Sequence, residues 1–118
     1  MKIAISSHDG KSDSPFSARF GRCNYFLFVD TETNDWSSVE NPAVSASGGA
    51  GSQAVQFLAS NSIEATITGH YGPTAFTALK AAGIQAFQAD EGTPEELLSS
   101  FLAGDLKKVN EATGPKLH

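Results

Sequence analysis

The sequence predicts an α/β domain: a five-stranded mixed sheet in the order 3-2-1-4-5, with one antiparallel strand, flanked by three helices. Three observations lead there. Five short segments carry the alternating or continuous apolar patterns of strands. Three later segments repeat apolar residues at three- and four-residue spacing, the period of a helix. Those helical segments separate the later strands, which makes these strands parallel neighbours, whereas only a short turn lies between the second and third.

Along the chain, Ile3 and Ile5 alternate in "KIAIS" (2–6), the first strand, and a Gly/Ser/Asp/Pro-rich loop follows. "YFLFVD" (25–30) has no polar interruption and reads as a strand buried on both faces. "TETND" (31–35) is a turn and "WSSVEN" (36–41) the returning strand. "PAVSASGGAG" (42–51) is a second long loop with three glycines. From Ser52, Ala54, Phe57 and Leu58 mark the first helix, and "EATITG" (64–69) is the fourth strand. Pro73 suits a first helical position, and the helix it opens stops at Gly83. "IQAFQAD" (84–90) is the fifth strand. Thr93 and Glu96 form a capping box for a third helix ending at Gly104. One domain over 1–106 is expected, with a partly ordered tail over 107–118.

Composition narrows the function. A chain of 118 residues with net charge −5 lacks the clustered cations that bind nucleic acid or anionic lipid broadly. "MKIAIS" is too short an apolar run for a signal peptide, and no segment reaches the roughly 20 apolar residues of a membrane span. The single cysteine suits a reducing compartment, so a cytoplasmic location is expected.

The only two arginines, Arg19 and Arg22, sit with the only cysteine, Cys23, in "FSARFGRC" (16–23). No further Lys or Arg occurs before Lys80. The loops after the first, third and fourth strands should converge at one end of the sheet, where α/β proteins bind ligands. Two helix starts, near Ser52 and Pro73, would aim free N–H groups at an anion there. Gly48, Gly49, Gly51, Gly69 and Gly72 would allow close backbone approach, with Ser52, Tyr71 and Thr74 beside them. Equally, both arginines read as solvated residues paired with Asp9 or Asp13.

Cys23 is a candidate soft metal ligand whose thiolate the neighbouring arginines would favour; it also reads as a small buried hydrophobe. His8 and His70 follow the first and fourth strands and are further candidate metal ligands, or plain loop residues. One cysteine cannot hold a closed tetrahedral zinc site. Walker, dinucleotide-binding and G-x-S-x-G patterns are absent from the sequence. Asp9, Asp30 and Asp90 follow separate strands, but Asp30 should lie at the opposite end from Asp9, which argues against a metal-dependent nuclease.

The "RFGRCNYF" segment (19–26), "FVD", "VEN", a Gly-rich loop and "GPTAFTALKAAGI" (72–84), in that order, resemble the dinitrogenase iron–molybdenum cofactor biosynthesis family over about residues 1–106. The resemblance implies a ribonuclease H-like motif without a nuclease site and a non-enzymatic carrier or scaffold for metal–sulfur clusters. One branch, in sulfate-reducing bacteria, holds a mixed molybdenum–copper sulfide cluster noncovalently; an iron–molybdenum cofactor precursor is the alternative cargo. Arg19 and Arg22 would then neutralise an anionic cluster. Many relatives have a histidine in the Gly-rich loop where this chain has Ser47, and His70 would be the substitute imidazole. Partners would be metallocluster donor or acceptor proteins, with the chain a monomer or weak homodimer. Two other readings stand beside the carrier: an interaction module of an assembly complex that binds no cluster, and a phosphate- or nucleotide-binding hydrolase.

Overall fold

The computed structural model describes residues 1–46 and 48–110. Strands β1 (Lys2–Ser7), β2 (Tyr25–Asp30) and β3 (Asp35–Glu40) precede helix α1 (Ala50–Ser60). Strand β4 (Ala65–Thr68), α2 (Pro73–Ala82), β5 (Gln85–Gln88), α3 (Pro94–Leu102) and β6 (Lys107–Lys108) follow. The sheet order is β3-β2-β1-β4-β5-β6.

Among the described residues the sheet therefore has six strands rather than five. The sixth lies in the stretch expected to begin the tail, because Lys107 and Lys108 have no apolar pattern to announce a strand. Backbone pairing places them antiparallel to Gln88 and Phe87, and the next residue, Val109, is buried. Residues 111–118, the rest of the expected tail, lie outside the described residues, as does Ser47. Within the first five strands only β2 opposes β1; β4 and β5 run parallel to it.

Each face of the sheet has its own apolar layer. Side chains alternate across a strand, so β1 sends Ile3 and Ile5 to one face and Ala4 to the other. Ile3, Ile5, Val29 and Ile67 pack with Leu97 and Leu98 of α3. On the opposite face Phe26, Phe28 and Ala86 pack with Leu58 of α1 and Leu79 of α2. Asn34, with φ of 60°, turns β2 into β3. Asp30 pairs with Lys2 at the start of β1, at the opposite end of the sheet from the loop carrying Asp9.

Candidate functional site

β1, β4 and β5 end at the same edge of the sheet, and the chain leaves each of them through a loop. The loop after β1 folds back across this edge. Ser17 N–H donates to the Ser6 carbonyl (2.9 Å), and His70 N–H donates to the Ala18 carbonyl (3.0 Å). Arg19 and His70 thereby form a short parallel bridge. Gly69 makes this possible: a Cβ there would stand 2.7 Å from the Ala18 Cβ and 2.9 Å from its Cα.

Helices α1 and α2 meet beside the same loop. A Cβ on Gly51 would stand 2.9 Å from the Ala75 Cβ, and one on Gly21 would stand 3.0 Å from the Gly51 nitrogen. Between these elements lies a crevice of about 520 Å³. Arg19, Arg22, His70, Gly51, Gly72 and Thr74 line it among the expected site residues. Phe20, Gly21, Ala50, Pro73 and Ala75 complete the lining. Pro73 was expected here as a helix start; the other four were not singled out because apolar and small residues carry no chemical signature, the one available signal being Phe20-Gly21 lying between the two arginines.

The electrostatics of the crevice follow from what is bare. Neither α1, which starts after Gly49, nor α2, which starts after Gly72, has a side-chain cap or an acidic residue in its first turn. α3, outside the crevice, has both: Thr93 and Glu96 form a capping box, and Glu95 joins Glu96 in the first turn. First-turn N–H groups without partners attract negative charge. Arg19 and Arg22 are exposed, and among the described residues neither forms an ion pair with a carboxylate, so pairing with Asp9 or Asp13 is not observed. Arg22 Nη1 donates to the Val44 and Ala46 carbonyls, which ties the second long loop to the crevice rim. Among the described residues no carboxylate lines the crevice.

Several expected site residues lie elsewhere. The side chain of Tyr71 is fully buried. An extended chain alternates sides, so His70 faces out and Tyr71 faces in, where its hydroxyl donates to the Phe87 carbonyl (2.8 Å) and accepts from Phe87 N–H (3.1 Å). Cys23 is 2% exposed, and its thiol donates to the Phe20 carbonyl (3.2 Å). Burial pushes its pKa up to about 12, so the expected arginine-stabilised thiolate does not form. His8, Gly48 and Gly49 are exposed and Ser52 is half-buried, all four outside the crevice lining; Gly69 is buried. α1 starts at Ala50, two residues before the expected Ser52. Among the described residues no three His, Cys, Asp or Glu side chains converge as a metal-ion site.

Residues 1–104 match the family model described as dinitrogenase iron-molybdenum cofactor. The chain belongs to this family. Among solved structures, this family domain is similar to the apo form of the orange protein of Desulfovibrio gigas, at 35% identity over 96% of each chain, with a TM-score of 0.92. It is also similar to a Thermotoga protein described as a candidate NifB protein of the DUF35 family, at 34% identity over 98% of each chain, with a TM-score of 0.85. The uncharacterized protein MJ0580 of Methanocaldococcus jannaschii is 30% identical over 111 residues, 92% of this chain and 91% of its own length.

Proposed function

We propose that this member of the dinitrogenase iron–molybdenum cofactor family is a carrier, not an enzyme, that holds an anionic metal–sulfur cluster noncovalently as cargo. The observation that carries the reading is the crevice lining: two arginines and two uncapped helix starts, with no carboxylate among the described lining residues and none paired with either arginine among the described residues. Such a donor set suits a ligand whose outer atoms are anionic acceptors; it does not suit a bare cation. Guanidinium N–H groups and helix-start N–H groups would bond the outer sulfides of such a cluster. Gly51, Gly72 and Thr74 would admit that approach along the backbone, and His70 is the imidazole at hand as a further donor or direct ligand.

A molybdenum-containing cargo, and a molybdenum–copper sulfide in particular, is supported by the family and by likeness to the orange protein, whose structure is of an apo form. An iron–molybdenum cofactor precursor is the alternative within the same chemistry. On this reading the chain works in the cytoplasm with metallocluster donor or acceptor proteins, as a monomer or weak homodimer. No helix among the described residues is long and apolar enough to cross a membrane. The order β3-β2-β1-β4-β5 supports reading the core of the sheet as a ribonuclease H-like motif, with β6 added at its edge.

The test is anaerobic mixing with tetrathiomolybdate, with and without copper(I), followed by desalting, a visible spectrum and metal analysis. The expected result is retained colour at fixed stoichiometry, lost in the Arg19→Ala/Arg22→Ala variant while its circular dichroism is unchanged. Colourless, metal-free wild-type protein under both conditions would overturn the molybdenum–copper reading and leave the iron-containing precursor and the interaction module to be tried.

A further inference from the structure

Beneath the crevice the ends of β1 and β4 hold a polar cluster that no ligand can reach. Ser6, Ser17 and Thr68 are each at most 1% exposed. Ser6 and Thr68 stand side by side on adjacent parallel strands, one step beyond the Ile5–Ile67 pair, with their hydroxyl oxygens 2.6 Å apart. Both also reach the Ser17 carbonyl, Ser6 Oγ closely and Thr68 Oγ1 at 3.3 Å. Two protons serve this triangle. Each hydroxyl can donate to the Ser17 carbonyl, and either can donate to the other. A buried hydroxyl is unfavourable unless it is bonded, and two apolar side chains would fill this space without that requirement. The pair therefore calls for an explanation beyond packing.

We propose that Ser6 and Thr68 are positioning residues for Arg19: their paired hydroxyls clamp the Ser17 carbonyl and so fix the height of the arginine loop over the sheet edge. The chain of contacts is continuous. Ser17 Oγ accepts from the Arg19 N–H (3.3 Å), and Ala18, between them, accepts from His70 N–H. Gly69, directly after Thr68, admits Ala18 at a distance no other residue would allow. One end of the clamp is thus set by the two strands that carry the parallel pairing, and the other delivers the guanidinium and the imidazole to one side of the crevice. A loop of this length without such an anchor would leave Arg19 free to follow solvent, and an anion held by a floating cation gains little.

This inference rests on the carrier reading for its consequence but not for its test. Amide hydrogen exchange of the cargo-free protein is measured for wild type, Thr68→Val, Thr68→Ser and Ser6→Ala/Thr68→Val. The double variant is expected to speed exchange at the Ser17 and His70 amides about tenfold or more, the scale of one lost net hydrogen bond. The Phe28 and Leu79 amides should stay at the wild-type rate, and Thr68→Ser should restore protection. Tetrathiomolybdate affinity, read in parallel, should fall about tenfold in the double variant, by the same amount that the anchor loses. Exchange that rises equally across the sheet, or not at all, would overturn the proposal. So would a wild-type exchange pattern in Thr68→Val, or failure of Thr68→Ser to match wild type. Should wild-type protein hold no thiometallate, the carrier reading falls, while local exchange at Ser17 and His70 still decides the anchor.

Discussion

At Cys23 the backbone turns the thiol away from the adjacent Arg22 and into the cluster that holds Phe20, Ala43 and Phe26. The carboxamide of Asn41 closes over it, donating to the Cys23 carbonyl (2.9 Å) and standing 3.7 Å from the sulfur. A thiol with its pKa raised from 9.0 to about 12 is neutral at any physiological pH. The native protein should therefore react with a disulfide reagent at pH 8 at least tenfold more slowly than the same chain in guanidinium chloride. The unfolded thiol ionises first, so the stability this burial provides is complete below pH 9 and is lost as pH rises toward 12. A Cys23→Ala variant should lack that component of the alkaline decline in chemical denaturation. At Gly69 the argument is steric: a methyl group would meet Ala18 backbone as well as side chain. Gly69→Ala should destabilise the fold by about 1–3 kcal/mol in urea denaturation, because the arginine loop has to move.

Among the elements, the three helices divide by how they begin. α3 opens with a reciprocal cap, Glu96 N–H to Thr93 Oγ1 (3.3 Å) and Thr93 N–H to Glu96 Oε1 (2.9 Å). Thr93→Ala should cost about 1 kcal/mol in thermal denaturation and leave anion retention at the wild-type level. α2 should respond with opposite signs. Gly72 has φ −67° and ψ 163°, which any residue can adopt, and nothing lies within 4 Å of a Cβ placed there. Gly72→Asp should stabilise the helix by about 0.5 kcal/mol through its charge at the helix start. The same carboxylate would occupy the N–H groups that the cargo needs and abolish thiometallate retention. A variant that gains stability and keeps its cargo would count against the helix start as part of the site. The same contrast marks what the sequence could disclose. The capping box of α3 and the Pro73 start and Gly83 stop of α2 were legible, because each depends on residues a few positions apart. The start of α1 was not, since Gly49 at φ 70° supplies no side-chain signal. β6 was equally silent, being set by pairing with Phe87 and Gln88 some twenty residues earlier. Arg19, Arg22 and His70 could be placed together from strand order alone. The fate of Tyr71 depended on which side of a two-residue extended stretch it faced, and no local pattern fixes that.

For the molecule as a whole, the eight phenylalanines are divided between the two faces of the sheet, four buried and four partly buried. Filling the crevice with an anion adds binding energy to the folded state alone. Cargo present at a hundred times its dissociation constant should add about 2.7 kcal/mol of stability and raise the melting temperature accordingly. Calorimetry with and without tetrathiomolybdate reads this shift, and the Arg19→Ala/Arg22→Ala variant should show none.

The crevice concentrates its positive charge on a molecule whose net charge is −5. On the carrier reading, a polyanionic cargo would therefore meet repulsion at long range and attraction only at the mouth. Screening acts over about 10 Å at 0.1 M salt, so it removes the distant barrier before it weakens the close contact. Moderate salt should thus accelerate capture, the reverse of the usual slowing for a charged ligand and its receptor. A cluster so held would, once loosened, be driven outward by the rest of the surface. Departure down that field would favour an acceptor whose own face is positive, and would give transfer a direction without any motor.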